Sequence, residues 1–326
     1  MLDVSIFAST VAFACAVDDL WLKAFLVILA GTMISTLFVL AHDATHGSLV
    51  RSRRHNAILG RVLLLPSLHN YALWKIQHNR LHHQSPNVKG VNSWSPLSAA
   101  EFRALPRWKQ LRERIYRGGG YGIYYLFERW WKFKLYPSRD IDGAMRSRAL
   151  LDFAAVAGSC GVWCAFSGLV GAAYGQPWWS SILCGVILPF FVWNSLMGLT
   201  VYLQHTHHMV PWFRTMGEAQ SFGHEEVTVN VKYPRWYGIL SHEIMEHPAH
   251  HINPLIPFYR LRAAQEHLNA VLGEDAIVEK MGPRYLLRLM SRCKLYDYDR
   301  REWTDYSGET TGLTQTPFMS PEAPRA

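Results

Sequence analysis

The chain has 326 residues, 49% of them hydrophobic and only 18% charged, with 13 Trp, 15 Tyr and 15 Phe. That composition excludes a disordered, collagen-like or disulfide-scaffold chain, and the segregation of its apolar residues argues against the two soluble domains that length alone suggests. The formal charge is +8, the five Cys include no Cys-x-x-Cys pair, and 16 residues are His.

Residues 4–17 form an apolar run of 14 that stops at Asp18-Asp19; it is short for a crossing and is read as a first transmembrane helix. The start has no basic n-region, so no secretory signal peptide is expected. Residues 24–41 are 18 uncharged residues, the threshold for a span. Residues 57–74 are semi-apolar but contain Arg61, Pro66 and His69, which suits an interfacial or re-entrant helix. After a Gly118-Gly119-Gly120 loop, residues 121–136 mix Tyr, Trp and Phe with Lys and Arg, the pattern of a helix lying in the headgroup layer. Two further uncharged runs, 22 residues at 153–174 and 26 at 178–203, are joined only by Gly175-Gln176-Pro177 and predict an antiparallel pair. Cys160, Cys164 and Cys184 lie in these runs and read as small buried hydrophobes. The tail from Tyr306, rich in Thr, Ser, Pro and Gly, is expected to be disordered.

Charge sets the orientation. Lys23 is the only Lys or Arg before residue 51, none occurs between 149 and 213, and the other 32 of the 33 fall in 51–148 and 214–326. Arg51, Arg53 and Arg54 directly follow one span, and Arg146 and Arg148 precede another, so the positive-inside rule places 42–148 and 204–305 in the cytoplasm. The expected fold is an all-α integral membrane protein: about four transmembrane helices in two hairpins, under a helical cytoplasmic cap, as one domain over 1–305. In a bacterium this is an inner or plasma membrane protein. Nothing in the chain suggests a nucleic-acid partner.

Eleven of the 16 His fall in four short clusters, all on the predicted cytoplasmic side. His42-Asp43-Ala44-Thr45-His46 directly follows the 24–41 span. A helix continued through it stacks the two imidazoles at i and i+4. His78-Asn-Arg-Leu-His82-His83 repeats that spacing, Gln204-His205-Thr206-His207-His208 follows the last span, and His247-Pro-Ala-His250-His251 puts His247 and His250 or His251 on one helical face. A lone His-x-x-x-His pair is usually surface or capping chemistry. Four such clusters converging on one membrane face are not, because ionisable groups near a bilayer are costly without a partner and metal binding keeps imidazoles neutral. The count provides for two ions rather than one. Imidazole suits iron, copper, zinc or nickel, and no Glu-x-x-His or His-Glu-x-x-His motif occurs.

Box 42–46 with Gly47, box 78–83 and box 247–251 resemble the three histidine boxes of the integral-membrane fatty acid desaturases. Trp74-Lys75, Asn92-Ser-Trp94, Gln204-His205-Thr206-His207, Tyr233-Pro-Arg-Trp236, His242 and Cys293-Lys-Leu-Tyr296 resemble the plant and cyanobacterial delta-12 (omega-6) acyl-lipid branch. The resemblance covers roughly residues 30–300. It implies a non-haem di-iron centre that uses O2 and two electrons to introduce a C=C into an unactivated acyl chain, with no catalytic side chain beyond the metal centre. Hydroxylases, acetylenases and ketolases share the boxes and are the alternative.

The resemblance carries the iron ligands over to His42, His46, His78, His82, His83, His205, His247, His250 and His251. It makes Asp43, His207 and His242 second-sphere groups or possible ligands, and Trp74 and Trp94 candidate substrate-cavity residues. His55, His69, His208, His224 and His267 are left as surface or core residues. The substrate is an acyl lipid, acyl-CoA or acyl-carrier thioester, the electron donor is a ferredoxin or a cytochrome b5-like protein, and membrane lipids surround the chain. Box two is one residue longer than is usual in that branch, and His208 stands where Pro often follows, so double-bond position and carrier stay open. A metal transporter would need polar residues inside the spans, and 153–174 and 178–203 offer few beyond Ser, Thr and Asn194.

Overall fold

The computed structural model describes residues 2–313. It begins with helix α1 (Leu2–Ala16) and helix α2 (Leu20–His46). Asp19 caps α2 by accepting from the Leu22 N–H at 2.7 Å. Gly47, at φ +84°, ends it in the left-handed conformation that glycine adopts without strain. Box one therefore forms the last two turns of a 27-residue helix.

Helix α3 (Arg53–Leu64), a 3-10 turn and helix α4 (Tyr71–Lys75) lead into a π-helix over Ile76–His82 that carries box two. Short helices α5 (Ala99–Ala104) and α6 (Arg107–Arg117) precede α7 (Tyr121–Tyr124), which continues as a π-helix over Tyr125–Leu135. Helix α8 (Gly143–Ala173) turns back through Gly175 into α9 (Trp178–Ile182), a π-turn (Leu183–Ile187) and α10 (Leu188–His205). The remainder holds α11 (Met216–Ala219), β1 (Asn230–Lys232), α12 (Arg235–Leu240), α13 (His247–Ile252), α14 (Phe258–Leu272), β2 (Val278–Lys280), α15 (Pro283–Arg292) and strands β3 (Leu295–Asp297), β4 (Glu302–Thr304) and β5 (Thr310–Leu313).

Among the described residues three helices are long and apolar enough to cross a membrane: Leu20–His46, Gly143–Ala173 and Trp178–His205. Each extends beyond the run expected for it. The 4–17 expectation becomes the 15-residue α1, which falls below that length and packs on α2 and α8, with Phe7 edge-on to Trp163 at 5.0 Å. Outward-facing α8 residues such as Leu151 and Leu169 are more than 70% exposed, as expected of a surface whose solvent is lipid. The chain is predominantly helical but not wholly so. Strand β1 pairs parallel with β2, and β3, β4 and β5 form an antiparallel sheet. Residues 310–313 pair with β4 through the backbone, and the rest of the expected tail, 314–326, lies outside the described residues. No disulfide forms, and Cys15, Cys184 and Cys293 are buried thiols.

Two cores meet at the site. The first joins Phe38 of α2 to Trp74, Trp130 and Trp193; the second holds Trp94, Tyr202, Trp212, Tyr296 and Trp303. Polar ties fix the cap to the long helices. Asp152 of α8 accepts from Arg61 Nε and from the Ala72 N–H at 2.8 and 2.9 Å, and Thr36 of α2 donates to the Leu240 carbonyl at 2.8 Å. At the opposite end Lys23 bonds Gln176 at 3.0 Å, and Gln176 bonds Asp18, joining the two hairpin turns.

Helix α10 accepts α7 only because residue 198 is glycine. A Cβ there would lie 2.2 Å from the Tyr121 carbonyl oxygen, a backbone atom that cannot yield cheaply. Gly198→Val is expected to destabilise the detergent-solubilised protein by about 1–3 kcal/mol, read as a lower thermal midpoint.

His69 is 1% exposed, its Nδ1 facing the Ser67 carbonyl at 2.8 Å and its Nε2 the Tyr125 hydroxyl at 3.0 Å. Burial pushes its pKa down to about 3. The unfolded chain takes up a proton near pH 6.5 that the folded chain refuses, so this stability is present above pH 6.5 and is lost as pH falls toward 3. A His69→Gln variant should therefore show a shallower fall in thermal midpoint between pH 6.5 and 4 than the parent.

Candidate metal centre

The four clusters fold into two groups of imidazoles. His42, His46, His78, His83 and His250 form one, and His82, His205, His247 and His251 the other; within each, one nitrogen per ring lies within 4.8 Å of all the rest. These nine are the residues the resemblance carried over as ligands, and all are buried except His46 and His82, which are partly so.

Local backbone decides which histidine joins which group. On the regular helix α2, His42 and His46 lie at i and i+4, edge to face, with ring centroids 4.8 Å apart. Box two was expected to pair His78 with His82 in the same way. The π-helix instead widens the turn, the His83 N–H bonds the His78 carbonyl, and His83 joins His78 in the first group. His82 is thereby rotated into the second group. Box three splits as α-helical spacing requires: His247 and His251 share a face, and His250 turns to the other group.

The donor set suits metal and does not suit protons. His83 Nε2 lies 3.1 Å from both His78 Nε2 and His250 Nε2. A ring nitrogen bears either one proton or one lone pair, so hydrogen bonding cannot satisfy both contacts, whereas lone pairs converging on an ion do. His251 Nε2 meets His82 Nε2 at 3.1 Å and His247 Nε2 meets His205 Nε2 at 2.8 Å. His46 Nε2 and the Nδ1 atoms of His83, His247 and His251 are buried without a hydrogen-bond partner.

Burial holds His78, His83, His247, His250 and His251 well below the usual histidine range, each ring further depressed by its neighbours. His82 is pushed down to about 4, again chiefly by burial. These shifts favour the neutral imidazole, the form that ligates metal.

Side chains behind the rings fix their tautomers. His82 Nδ1 donates to Asn92 Oδ1 at 2.5 Å, and His205 Nδ1 donates to Asn87 Oδ1 at 3.1 Å, which leaves each Nε2 lone pair pointing inward. Asn87 is itself fixed, its amide donating to the Pro211 and Val227 carbonyls at 3.1 Å each. Asp43 Oδ1 lies 3.3 Å from His42 Nδ1, while Oδ2 accepts the Phe258 N–H at 2.8 Å, so one carboxylate both orients a ring and ties α14 to α2. Asn87 escaped the sequence reading; its signal is an Asn at φ +57°, a conformation Asn tolerates better than most residues.

Not every expected residue belongs here. His207 lies outside both groups, with Nε2 3.1 Å from Glu279 Oε1 and Nδ1 accepting the Met209 N–H, because α10 ends at His205 and the extended Thr206 turns the chain toward β2. His242 also lies outside, packed on Phe258 with its Nε2 3.6 Å from Asp3. His224 is half-buried, its ring 5.5 Å from that of His251.

A cleft holding about 940 Å³, its open mouth included, reaches His42, His78, His82 and His247 between α2 and α10. Trp74 lines it, stacked on His78 at 4.8 Å and 15°. Trp94 does not: it is fully buried in the second core, stacked on Tyr124 at 3.8 Å, with its indole N–H bonded to the Gly198 carbonyl. Phe38, Trp193, Leu196 and Met197 form an apolar side of the cleft.

The fold and site define a helical protein with three helices long and apolar enough to cross a membrane and a buried, all-histidine candidate metal site. A model of the fatty acid desaturase family matches residues 19–281. The chain is 30% identical over 279 residues to the sn-1 acyl-lipid omega-3 desaturase (ferredoxin) of Synechocystis sp., covering 84% of this chain and 74% of that relative. It is 28% identical over 291 residues to the sn-1 oleoyl-lipid 12-desaturase of Anabaena variabilis, covering 83% and 76%. It is 27% identical over 274 residues to the chloroplastic omega-6 fatty acid desaturase of Spinacia oleracea, covering 82% of this chain but only 58% of that longer protein. The chain belongs to the fatty acid desaturase family, whose members are oxidoreductases.

Asn87→Ala leaves His205 Nδ1 without its acceptor. It is expected to weaken metal retention about 10- to 100-fold, measured as metal content against increasing chelator.

Proposed function

We propose that the chain is an O2-dependent membrane fatty acyl desaturase that introduces a C=C into an unactivated acyl chain at a histidine-bound di-iron centre. The observation that carries this reading is the pair of imidazole groups, nine rings without a carboxylate, opening onto a cleft with an apolar side between two long apolar helices. His42, His46, His78, His83 and His250 would hold one iron, and His82, His205, His247 and His251 the other. When bound, the irons supply the oxidising power to remove two hydrogens from a CH2–CH2 unit with O2 and two electrons, chemistry beyond protein side chains.

The chain's own residues do the rest. Asn92, Asn87 and Asp43 hold ligand rings in the tautomer that presents Nε2. Trp74 backs His78, and Phe38, Trp193 and Met197 line a path that would position methylenes and exclude water. An acyl substrate enters from the bilayer, and electrons arrive from a ferredoxin-type or cytochrome b5-like donor, as the "(ferredoxin)" in one relative's name suggests. We further propose one membrane domain over 1–305, with α1 completing a four-helix, two-hairpin arrangement and the metal centre facing the cytoplasm. The concentration of basic residues in 51–148 and 214–326 supports that orientation.

Expression with an electron donor in a host lacking desaturases, followed by mass spectrometry of the lipids, tests the reaction. A new double bond is expected; a hydroxylated main product, or purified protein holding one zinc and no iron, would refute it. His250→Ala should abolish product while membrane insertion is retained.

A further inference from the structure

The cleft contains two cations that the metal chemistry does not use. Arg129 and Lys134, from the π-helix over Tyr125–Leu135, both line it, and its wall includes no Asp or Glu. Lys134 is 5% exposed, has no carboxylate partner among the described residues, and lies 4.6 Å above the Trp74 ring. Arg129 contacts the Val91 carbonyl at 3.5 Å and lies 5.2 Å from the centre of the Phe133 ring, and its Nε is buried without a hydrogen-bond partner among the described residues. Glu128, the one carboxylate on that helix, is engaged elsewhere, by Lys132 at 2.5 Å, Arg112 at 3.3 Å and Tyr116 at 3.1 Å.

A buried ammonium beside a guanidinium and facing no anion is unfavourable unless a ligand supplies the charge. Burial and the neighbouring Arg129 both hold the Lys134 pKa well below the usual lysine range. Trp74 accounts for part of the stabilisation through its ring face, but an indole brings no net charge. The guanidinium fork and the ammonium are the donors that phosphate and carboxylate oxygens take.

We propose that Lys134 and Arg129 form a subsite for an anionic group, phosphate or carboxylate, carried on the head of the acyl substrate. The subsite rests on the desaturase reading only for the identity of the chain attached to that head. It predicts discrimination between acyl donors by head-group charge, with the Trp74 indole separating the anion from His78.

The test is equilibrium binding by the purified full chain in neutral detergent, followed by native mass spectrometry. The ligands are dioleoylphosphatidylglycerol, oleoyl-CoA and a neutral dioleoyl glycolipid. The first two arms separate a phospholipid source of the phosphate from a soluble thioester. Wild type should bind at least one anionic ligand roughly tenfold or more tighter than the neutral one, the scale of one charge-assisted contact. Lys134→Gln and Arg129→Gln should each erase most of that preference, and Lys134→Arg should keep it. Lys132→Gln, which removes only an exposed partner of Glu128, should bind like wild type.

Equal wild-type affinity for all three ligands overturns the subsite, as does undiminished preference in both glutamine variants. If Lys134→Gln fails to fold, the wild-type comparison and Arg129→Gln decide. Charge-blind binding together with desaturated product refutes the subsite and leaves the reaction standing. Charge-selective binding with no desaturation of any lipid does the reverse.

Discussion

An imidazole nitrogen that faces two others at 3.1 Å in a buried site, as His83 Nε2 does, creates a conflict that one proton cannot resolve. Each ring nitrogen offers one proton or one lone pair, and His83 Nε2 meets two others of its kind. Charging the rings instead would place several cations in one low-dielectric volume. Neutral rings placed to hold an ion fit the arrangement, and the rest of the cap serves to bring those rings together. Its helices end, widen or turn where a ring must be delivered.

Delivery takes a different form in each element. Helix α2 is regular to its last residue and presents two rings one turn apart. The second box needs rings for both groups from one short segment, and the π-helix meets that need by rotating His83 over His78 and freeing His82. Helix α13 achieves the same division with ordinary spacing. The carboxamides of Asn87 and Asn92 then set proton positions that backbone geometry alone leaves free. Asp43 adds a mechanical link, since one carboxylate touches a ring on α2 and the first N–H of α14.

Much of this was legible along the chain. Long uncharged runs imply spanning helices because a bilayer leaves the backbone no other hydrogen-bond partner, and the clustering of His in the segments that follow those runs marked the site. Trp74 and Trp94 show where such reading stops. Both are tryptophans close to box two, yet one walls the cleft and the other is sealed in a second core by Tyr124 and the Gly198 carbonyl. His205 and His207 differ likewise: they are two residues apart, but only the first is still on α10. Residue type cannot separate these pairs, since the difference lies in where a helix ends and what packs across from it.

By itself, then, the sequence determined the class of protein and the approximate limits of its three long apolar helices, because hydropathy is a local property, while its family resemblance named the nine histidines that come together. The tertiary structure alone decided how those histidines divide into two groups, which asparagines orient them, and that residues 310–313 form a strand. It alone placed Lys134 and Arg129 in the cleft without a carboxylate. Those outcomes depend on contacts between residues more than 200 positions apart, such as Asp43 with Phe258 and Thr36 with Leu240, and no local pattern encodes which distant backbone or side chain will complete a buried polar group.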